Sequence, residues 1–449
     1  MKLSRKQIFV ISSMLFSMFF GAGNLIFPPF LGQMAGARTP AALLGFLITA
    51  VVLPILGLTA VAKFNGLDHL ACKVGPRFSI LFTVAIYLSI GPILSIPRAA
   101  SVPFEMSIAP MMPESGAAGM LIYSFIFFAI AAWLSLTPNK LADRLGKILS
   151  PLLLVLLGLL FVSFLFAGKM EVAPARGTYE SHAFVTGFLE GYNTMDTIAA
   201  LNFGLVIATT MRTLNVKDDN SVMRCTMFCG IAAGALLAII YAMLAYLGMQ
   251  SSAVYPIQGN GAWTLRCIVN QLFGFPGAVL LAVIFTLACM TTCVGLIASI
   301  AEYFSTLTHR FSYRQWVIGI SAFSFIVCNQ GLNTILSISV PILNTLYPIA
   351  IVLILLGLCD RWIGKNPFIY PCTIGAVTLI SLIYSLDKLH LPLGFVRTLC
   401  SKLPLYEIGM GWIFVATLTA ALSFALWFLK RRESSIRAFF CKAMRSRKY

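Results

Sequence analysis

Charge is what this chain has least of. Lys, Arg, Asp and Glu make up only 10% of its 449 residues while 59% are hydrophobic, which is too little polar surface to cover a water-soluble domain of that length. Histidine is nearly as scarce. His69, His182, His309 and His390 all fall in or near the gaps between apolar runs, no H-E-x-x-H occurs, and no Ser/His pairing is evident, so hydrolase chemistry has no constellation to work with. The eleven cysteines lack metal-ligand spacing. Cys225 with Cys229 and Cys289 with Cys293 stand four apart inside apolar stretches, where packing is the expected role. Long polar tracts and low-complexity linkers are also missing, so residues 1–449 read as one membrane domain.

What is abundant is apolar length. Twelve runs can each span a bilayer, at about 8–34, 41–62, 78–103, 117–136, 148–168, 183–210, 224–249, 275–304, 315–330, 334–358, 367–386 and 409–429. The first run is followed by no small-residue cleavage site and reads as a retained span rather than a signal peptide. The net charge of +17 does not call for nucleic acid, because the cations lie in short loops and in the tail. With both termini in the cytoplasm, 24 Lys and Arg fall inside and seven outside, with Arg98 set apart within the third span. Residues 430–449 carry eight of the inner cations against Glu433, a tail suited to anionic lipid.

The most unusual stretch is Phe19-Phe20-Gly21-Ala22-Gly23-Asn24-Leu25-Ile26-Phe27-Pro28-Pro29, in the middle of the first run. A helical Pro28 withholds a donor from the Asn24 carbonyl and Pro29 one from Leu25. Gly21 and Gly23 loosen the backbone just before, and Asn24 is a good N-cap, so the helix is expected to stop near Gly21 and restart around Asn24 or Leu25. Irregular backbone at that depth is tolerated only against protein or a water-filled cavity. A plain proline kink is the competing reading.

The sixth run carries Phe188-Leu189-Glu190-Gly191-Tyr192-Asn193-Thr194-Met195-Asp196-Thr197. Each acid costs roughly 2.5–3.5 kcal/mol near a helix centre and needs a partner. Glu190 and Asp196 diverge by about 120° on a straight helix and share a site only if the helix opens at Gly191. The alternative is that both acids merely lock the bundle. In the eighth run, Thr291 and Thr292 can offer oxygens to a hard cation, or simply bond back to their own helix. Arg98, in the Gly91-Pro92 to Pro97-Arg98 stretch, is expected to snorkel at the outer end or pair with Glu105; a gating role is the sharper reading. Glu302 is expected near water at the inner end of the eighth run. Pro341, Asn344, Tyr347 and Pro348 predict another flexible helix in the tenth.

The two interrupted spans are five apart, and an odd offset means that they cross the bilayer in opposite directions, as in an inverted repeat. Secondary transporters place substrate and ion sites where such helices break. The inner half of the first span would offer carbonyls to a cation and the outer half N–H groups to a carboxylate, a fit for a small zwitterion with a cation. A channel would need a continuous polar pore, which these mostly apolar spans do not provide.

These same segments, Phe20 to Pro29, Gly91-Pro92 through Arg98, and Gly191 to Asp196, resemble the signature stretches of the bacterial branched-chain amino acid:cation symporters, carriers of the amino acid-polyamine-cation superfamily. The resemblance implies an all-α polytopic membrane protein of twelve transmembrane helices. Two LeuT-like inverted five-helix repeats (8–168 and 183–358) would be followed by two additional helices (367–429) and the basic tail. It implies sodium-coupled uptake of leucine, isoleucine and valine across a bacterial cytoplasmic membrane, with no enzyme activity, cofactor or obligate protein partner. Carried over residue by residue, Ser17, Phe20, Ala288, Thr291 and Thr292 would bind sodium. Gly21, Ala22, Gly23, Asn24, Tyr192, Asn193, Thr194 and Asp196 would line the substrate site, with Glu190 and Arg98 as coupling or gating residues. Proton coupling through Asp196 or Glu190, and an amino acid sensor on the same fold, are the alternatives.

Overall fold

A computed structural model describes residues 4–112, 114, 116–137, 150–166, 171–214, 216, 218–257, 261–308, 310–389, 391–392 and 394–445. Lys2, Lys140, Arg144, Lys147, Lys169, Lys217, His309 and His390 from the sequence reading lie outside them, as does the end of the basic tail. The described chain is helical throughout, as its apolar runs require. Among the described residues, eight helices are long and apolar enough to cross a bilayer, or nine with one bent pair counted as a span.

The first apolar run is split. Helix α1 (Arg5–Phe19) starts on a Ser4 capping box, and α2 (Ala22–Ala35) follows after two extended residues, Phe20 and Gly21. The restart at Ala22 comes earlier than the sequence predicts, and Pro28 and Pro29 lie inside α2 rather than at the break, so the simple proline kink is set aside. The second run comprises α3 (Thr39–Leu47) and α4 (Leu53–Phe64), joined by a π-helical turn over Ile48–Val52. A short α5 (Leu67–Cys72) leads to α6 (Pro76–Leu88), an irregular turn at Gly91 and Leu94, and α7 (Ser95–Pro103). Helical turns then carry the third run on to Met111.

Helices α8 (Gly116–Ser135) and α9 (Ser150–Phe166) precede the second split span, α10 (Tyr179–Glu190) and α11 (Asp196–Thr213). Between these two lie a 3₁₀ turn, Gly191–Thr194, and Met195 in the left-handed region at φ 67°; the pair is bent by 44°. The expected opening at Gly191 is thus present. Then come α12 (Asp219–Gln250), α13 (Gly261–Phe273), α14 (Phe275–Leu307), α15 (Tyr313–Cys328), α16 (Leu332–Ile363), α17 (Ile369–Lys388), α18 (Gly394–Cys400) and α19 (Gly411–Arg445).

Pro341 and Pro348 do not break α16, which runs on as one helix; the Ser385 and Thr345 hydroxyls both donate to the Pro341 carbonyl. Helix α19 continues from the last apolar run into the basic residues as far as Arg445.

The broken spans are held by close helix crossings. Gly32 of α2 meets the backbone of Ala245 and Met249, and Gly248 of α12 meets the backbone of Pro29. On the other side Gly45 of α3 lies on Phe184 and Gly187 of α10 on Ala42, again backbone to backbone. Such contacts need small residues, since lipid provides no hydrophobic drive for helices to associate. Gly248→Leu is therefore expected to destabilise the fold by about 1–3 kcal/mol, read as a lowered melting temperature in detergent; an unchanged melting temperature would refute the crossing.

Candidate transport site

The site is built where the two interruptions face each other. At the end of α1 the Phe20 N–H still reaches the Phe16 carbonyl at 2.8 Å, but ψ 91° at Phe20 turns the chain out of the helix. Gly21 is extended, and a Cβ there would lie 2.8 Å from Thr292 Oγ1, so the turn sits directly on α14. Asn24 is not the N-cap predicted from sequence. It stands in the first turn of α2, where its Oδ1 accepts the otherwise orphaned Gly21 N–H at 3.1 Å.

That leaves the Asn24 amide nitrogen to reach across the break. It donates to Asp196 Oδ2 at 2.7 Å and hydrogen-bonds to the Tyr241 hydroxyl, which itself donates to the same carboxylate oxygen at 2.7 Å. Asp196 is only 1% exposed. A single carboxylate thus ties α2, α11 and α12 together. The two halves of the sixth span are pinned by one residue of the π-helical turn: Thr49 Oγ1 donates to the Phe188 carbonyl at 2.8 Å, and the Thr49 carbonyl accepts from Thr197 Oγ1 at 2.8 Å. The Thr194 hydroxyl closes the 3₁₀ turn onto the Gly191 carbonyl at 2.9 Å.

Arg98 overturns its expected placement. It neither snorkels nor meets Glu105, whose carboxylate accepts from the Leu332 N–H at 2.8 Å. Instead Arg98 is buried at the centre, with Nη1 donating to the Asn193 carbonyl at 3.0 Å and the guanidinium 5.6 Å over the Phe27 ring.

On the other side of the break, the Ser17 carbonyl accepts from Thr291 Oγ1 at 2.9 Å and from Thr292 Oγ1 at 3.4 Å. Thr291 also bonds back to the Ala288 carbonyl at 2.8 Å, so the back-bonding and cross-helix readings both describe this hydroxyl. These oxygens converge in a buried cluster next to Phe20 and Gly21. Among the described residues no group of three or more His, Cys, Asp or Glu could hold a metal ion, so any cation here meets carbonyl and hydroxyl oxygens.

Between the two breaks lies a cavity of about 20 Å³, room for roughly one water. Gly21, Ala22, Gly23, Asn24, Arg98, Thr194, Asp196 and Thr292 line it, with Met18, Phe19, Met195, Ala199 and Leu296 as its apolar wall. Tyr192, Glu190 and Asn193 do not line it. Tyr192 stacks on Tyr347 with ring centroids 4.2 Å apart and faces a separate cavity with Asn344, Ser381 and Trp412, because the 3₁₀ turn rotates it off the helical face. Glu190 lies against the Asn193 side chain, outside the lining. Asn193 contributes its carbonyl, to Arg98, and does not line the cavity. The sequence gives Tyr241 no motif; its signal is a phenol in the second half of a 32-residue apolar helix.

The chain has known relatives. A family model described as branched-chain amino acid transport protein matches residues 4–430. The chain belongs to that family. It is similar to the branched-chain amino acid transport system 2 carrier protein of Pseudomonas aeruginosa, at 41% identity over 93% of this chain and 95% of that one. It is similar also to the branched-chain amino acid permease BrnQ of Bacillus subtilis, at 38% identity over 96% and 99%. In fold it resembles Mhp1, a nucleobase-cation-symport-1 family transporter in a closed conformation, with a TM-score of 0.56 at 13% identity over 94% and 92% of the two chains. The family is one of carriers, not enzymes, and the helical membrane fold inferred from sequence agrees with it.

Within this family member, two changes probe the site. Tyr241→Phe removes a donor to the buried Asp196 carboxylate and is expected to lower branched-chain amino acid uptake by liposome-reconstituted protein roughly tenfold, as the loss of one hydrogen bond to a charged group would. Gly21→Ala forces a methyl onto Thr292 and should abolish uptake while the protein still inserts; normal uptake in either variant would refute the corresponding contact.

Proposed function

We propose that the protein is a sodium-coupled symporter that takes up leucine, isoleucine and valine by alternating access across a bacterial cytoplasmic membrane, with both termini inside. The observation that carries this reading is the pair of helix breaks, Phe20-Gly21 and Gly191 to Met195, facing each other across one cavity with a buried oxygen cluster beside it. On this reading the chain has twelve spans. Residues 8–168 and 183–358 form inverted five-helix, LeuT-like repeats, 367–429 two further helices, and 430–449 an inner basic tail. Two packing relations support the repeat. The outer half of the first span rests on the seventh through Gly32 and Gly248, and the inner half of the sixth rests on the second where Gly204 meets Val61.

The chemistry follows from the termini. The first turn of α2 has N–H groups without intrahelical acceptors and a positive dipole end, suited to the substrate carboxylate. Asp196 and the broken sixth span take the ammonium, and Met18, Phe19, Met195, Ala199 and Leu296 take the aliphatic side chain. Because the cavity is far smaller than leucine, the substrate enters only when the helices part. Sodium would be met by the Ser17, Phe20 and Ala288 carbonyls and the Thr291 and Thr292 hydroxyls. The two threonines would turn their protons away from the Ser17 carbonyl so that their lone pairs face the ion.

Proton coupling through Asp196 is the second reading. It is favoured by a carboxylate that accepts from neutral donors and, among the described residues, has no cation within salt-bridge distance. A non-transporting sensor is a third. Labelled leucine uptake into proteoliposomes separates them: an imposed sodium gradient should drive accumulation, and a pH gradient alone should not. The reverse result establishes proton coupling, and binding without flux establishes a sensor. Thr291→Ala should raise the sodium concentration for half-maximal uptake about tenfold, as expected from losing one oxygen ligand; an unchanged sodium dependence would remove Thr291 from the site.

A further inference from the structure

We propose that Arg98 is a substrate-binding residue, whose guanidinium pairs with the carboxylate of the transported amino acid. Resting on the reading of the central cavity as an amino acid site, this deepens it by naming the counter-charge.

Arg98 is 2% exposed in the interior of a membrane protein, a position that a lone cation holds only with strong compensation. Of its five donors, Nη1 reaches the Asn193 carbonyl, and Nε is buried without any partner. Among the described residues no carboxylate lies within 4 Å of it, so the charge is solvated by one neutral dipole and the face of Phe27. The guanidinium nevertheless lines the cavity, and the missing side chain of Gly23 is what admits it: a Cβ there would lie 2.8 Å from Nη2.

Asp196 lines the same cavity, likewise buried and paired only with neutral donors. One chamber therefore holds a buried cation and a buried anion on different elements, α7 and α11, with no direct salt bridge between them. A zwitterion is the ligand that completes both pairs at once. An amine without a carboxylate would leave Arg98 bare, and a carboxylate without an amine would leave Asp196 bare, so the pair selects α-amino acids over either fragment. The planar fork of arginine also suits a carboxylate bidentately, which a lysine cannot match.

Binding of leucine and of leucinamide, which keeps the ammonium and side chain but has no carboxylate, tests this on purified protein by calorimetry. Unmodified protein should prefer leucine by roughly 50-fold or more, the range of a charge-assisted bidentate contact. Arg98→Gln should weaken leucine by a similar factor, leave leucinamide within about threefold, and so erase the preference. Arg98→Lys should retain only part of it, and decides the matter if the glutamine variant does not fold. A preference that persists in the variants, or an equal loss for both ligands, overturns the role of Arg98. If the unmodified protein binds no leucine, the amino acid site itself is wrong, whatever Arg98 does.

Discussion

The buried Asp196 carboxylate is the constraint on which the centre of this molecule depends. Taking a carboxylate out of water at membrane depth is expensive, and it persists only where donors are already arranged around it. Here Asn24 and Tyr241 are those donors, and each comes from a different helix. Asn24 can serve only because the first span is broken: its other amide atom caps Gly21, which fixes the side chain and aims the nitrogen at Asp196. Asp196 in turn begins α11 because the sixth span is broken just before it. Neither interruption is explained by its own sequence alone; each supplies what the other needs.

Around that point the structure separates what is tied from what can part. Thr49 bonds both sides of the sixth-span break, and the π-helical turn that carries it places donor and carbonyl on one residue. The sixth-span break is therefore held to the second run at both edges. The inner half of the first span is held to α14 near the cavity by the two threonine hydroxyls on the Ser17 carbonyl. In the sodium-coupled reading those are the same bonds an arriving cation would replace. Ion binding and the contact between α1 and α14 are then linked, because whatever favours one arrangement of these oxygens biases the position of α1.

The features legible in the sequence were those with local causes. Gly21, Gly23 and the prolines mark the first interruption, and Gly191 between two acids marks the second. What could not be read was rotation and depth. The resemblance implies Tyr192 beside Asp196 in the substrate lining, but a 3₁₀ turn and a left-handed Met195 stand between them, and the Tyr192 ring stacks on Tyr347. A third run ending near residue 103 puts Arg98 at its outer end. The helix goes on through Met111 by way of an irregular Gly91 and a π-helical turn, which moves the arginine well into the interior. Tyr241 gave no motif at all, since a tyrosine in an apolar helix reveals its partner only when the neighbouring helix is placed.

The two prolines in α2 take on a different meaning once the break is located upstream of them. Phe20 and Gly21 already interrupt the helix, so Pro28 and Pro29 are not needed to stop it. Their remaining effect is on carbonyls: in a continuing helix they deny the Asn24 and Leu25 oxygens their usual donors. The first turn of α2 then has unpaired N–H groups at its start and freed carbonyl oxygens about a turn later, within a buried segment in which the Asn24 side chain meets Asp196 and the Gly23 backbone lies against Arg98. A backbone that presents both donors and acceptors beside one anion and one cation is polar on every side that a zwitterion is polar. In the proposed function the apolar wall of Met18, Phe19, Met195, Ala199 and Leu296 would supply the remaining contact, the one an aliphatic side chain requires.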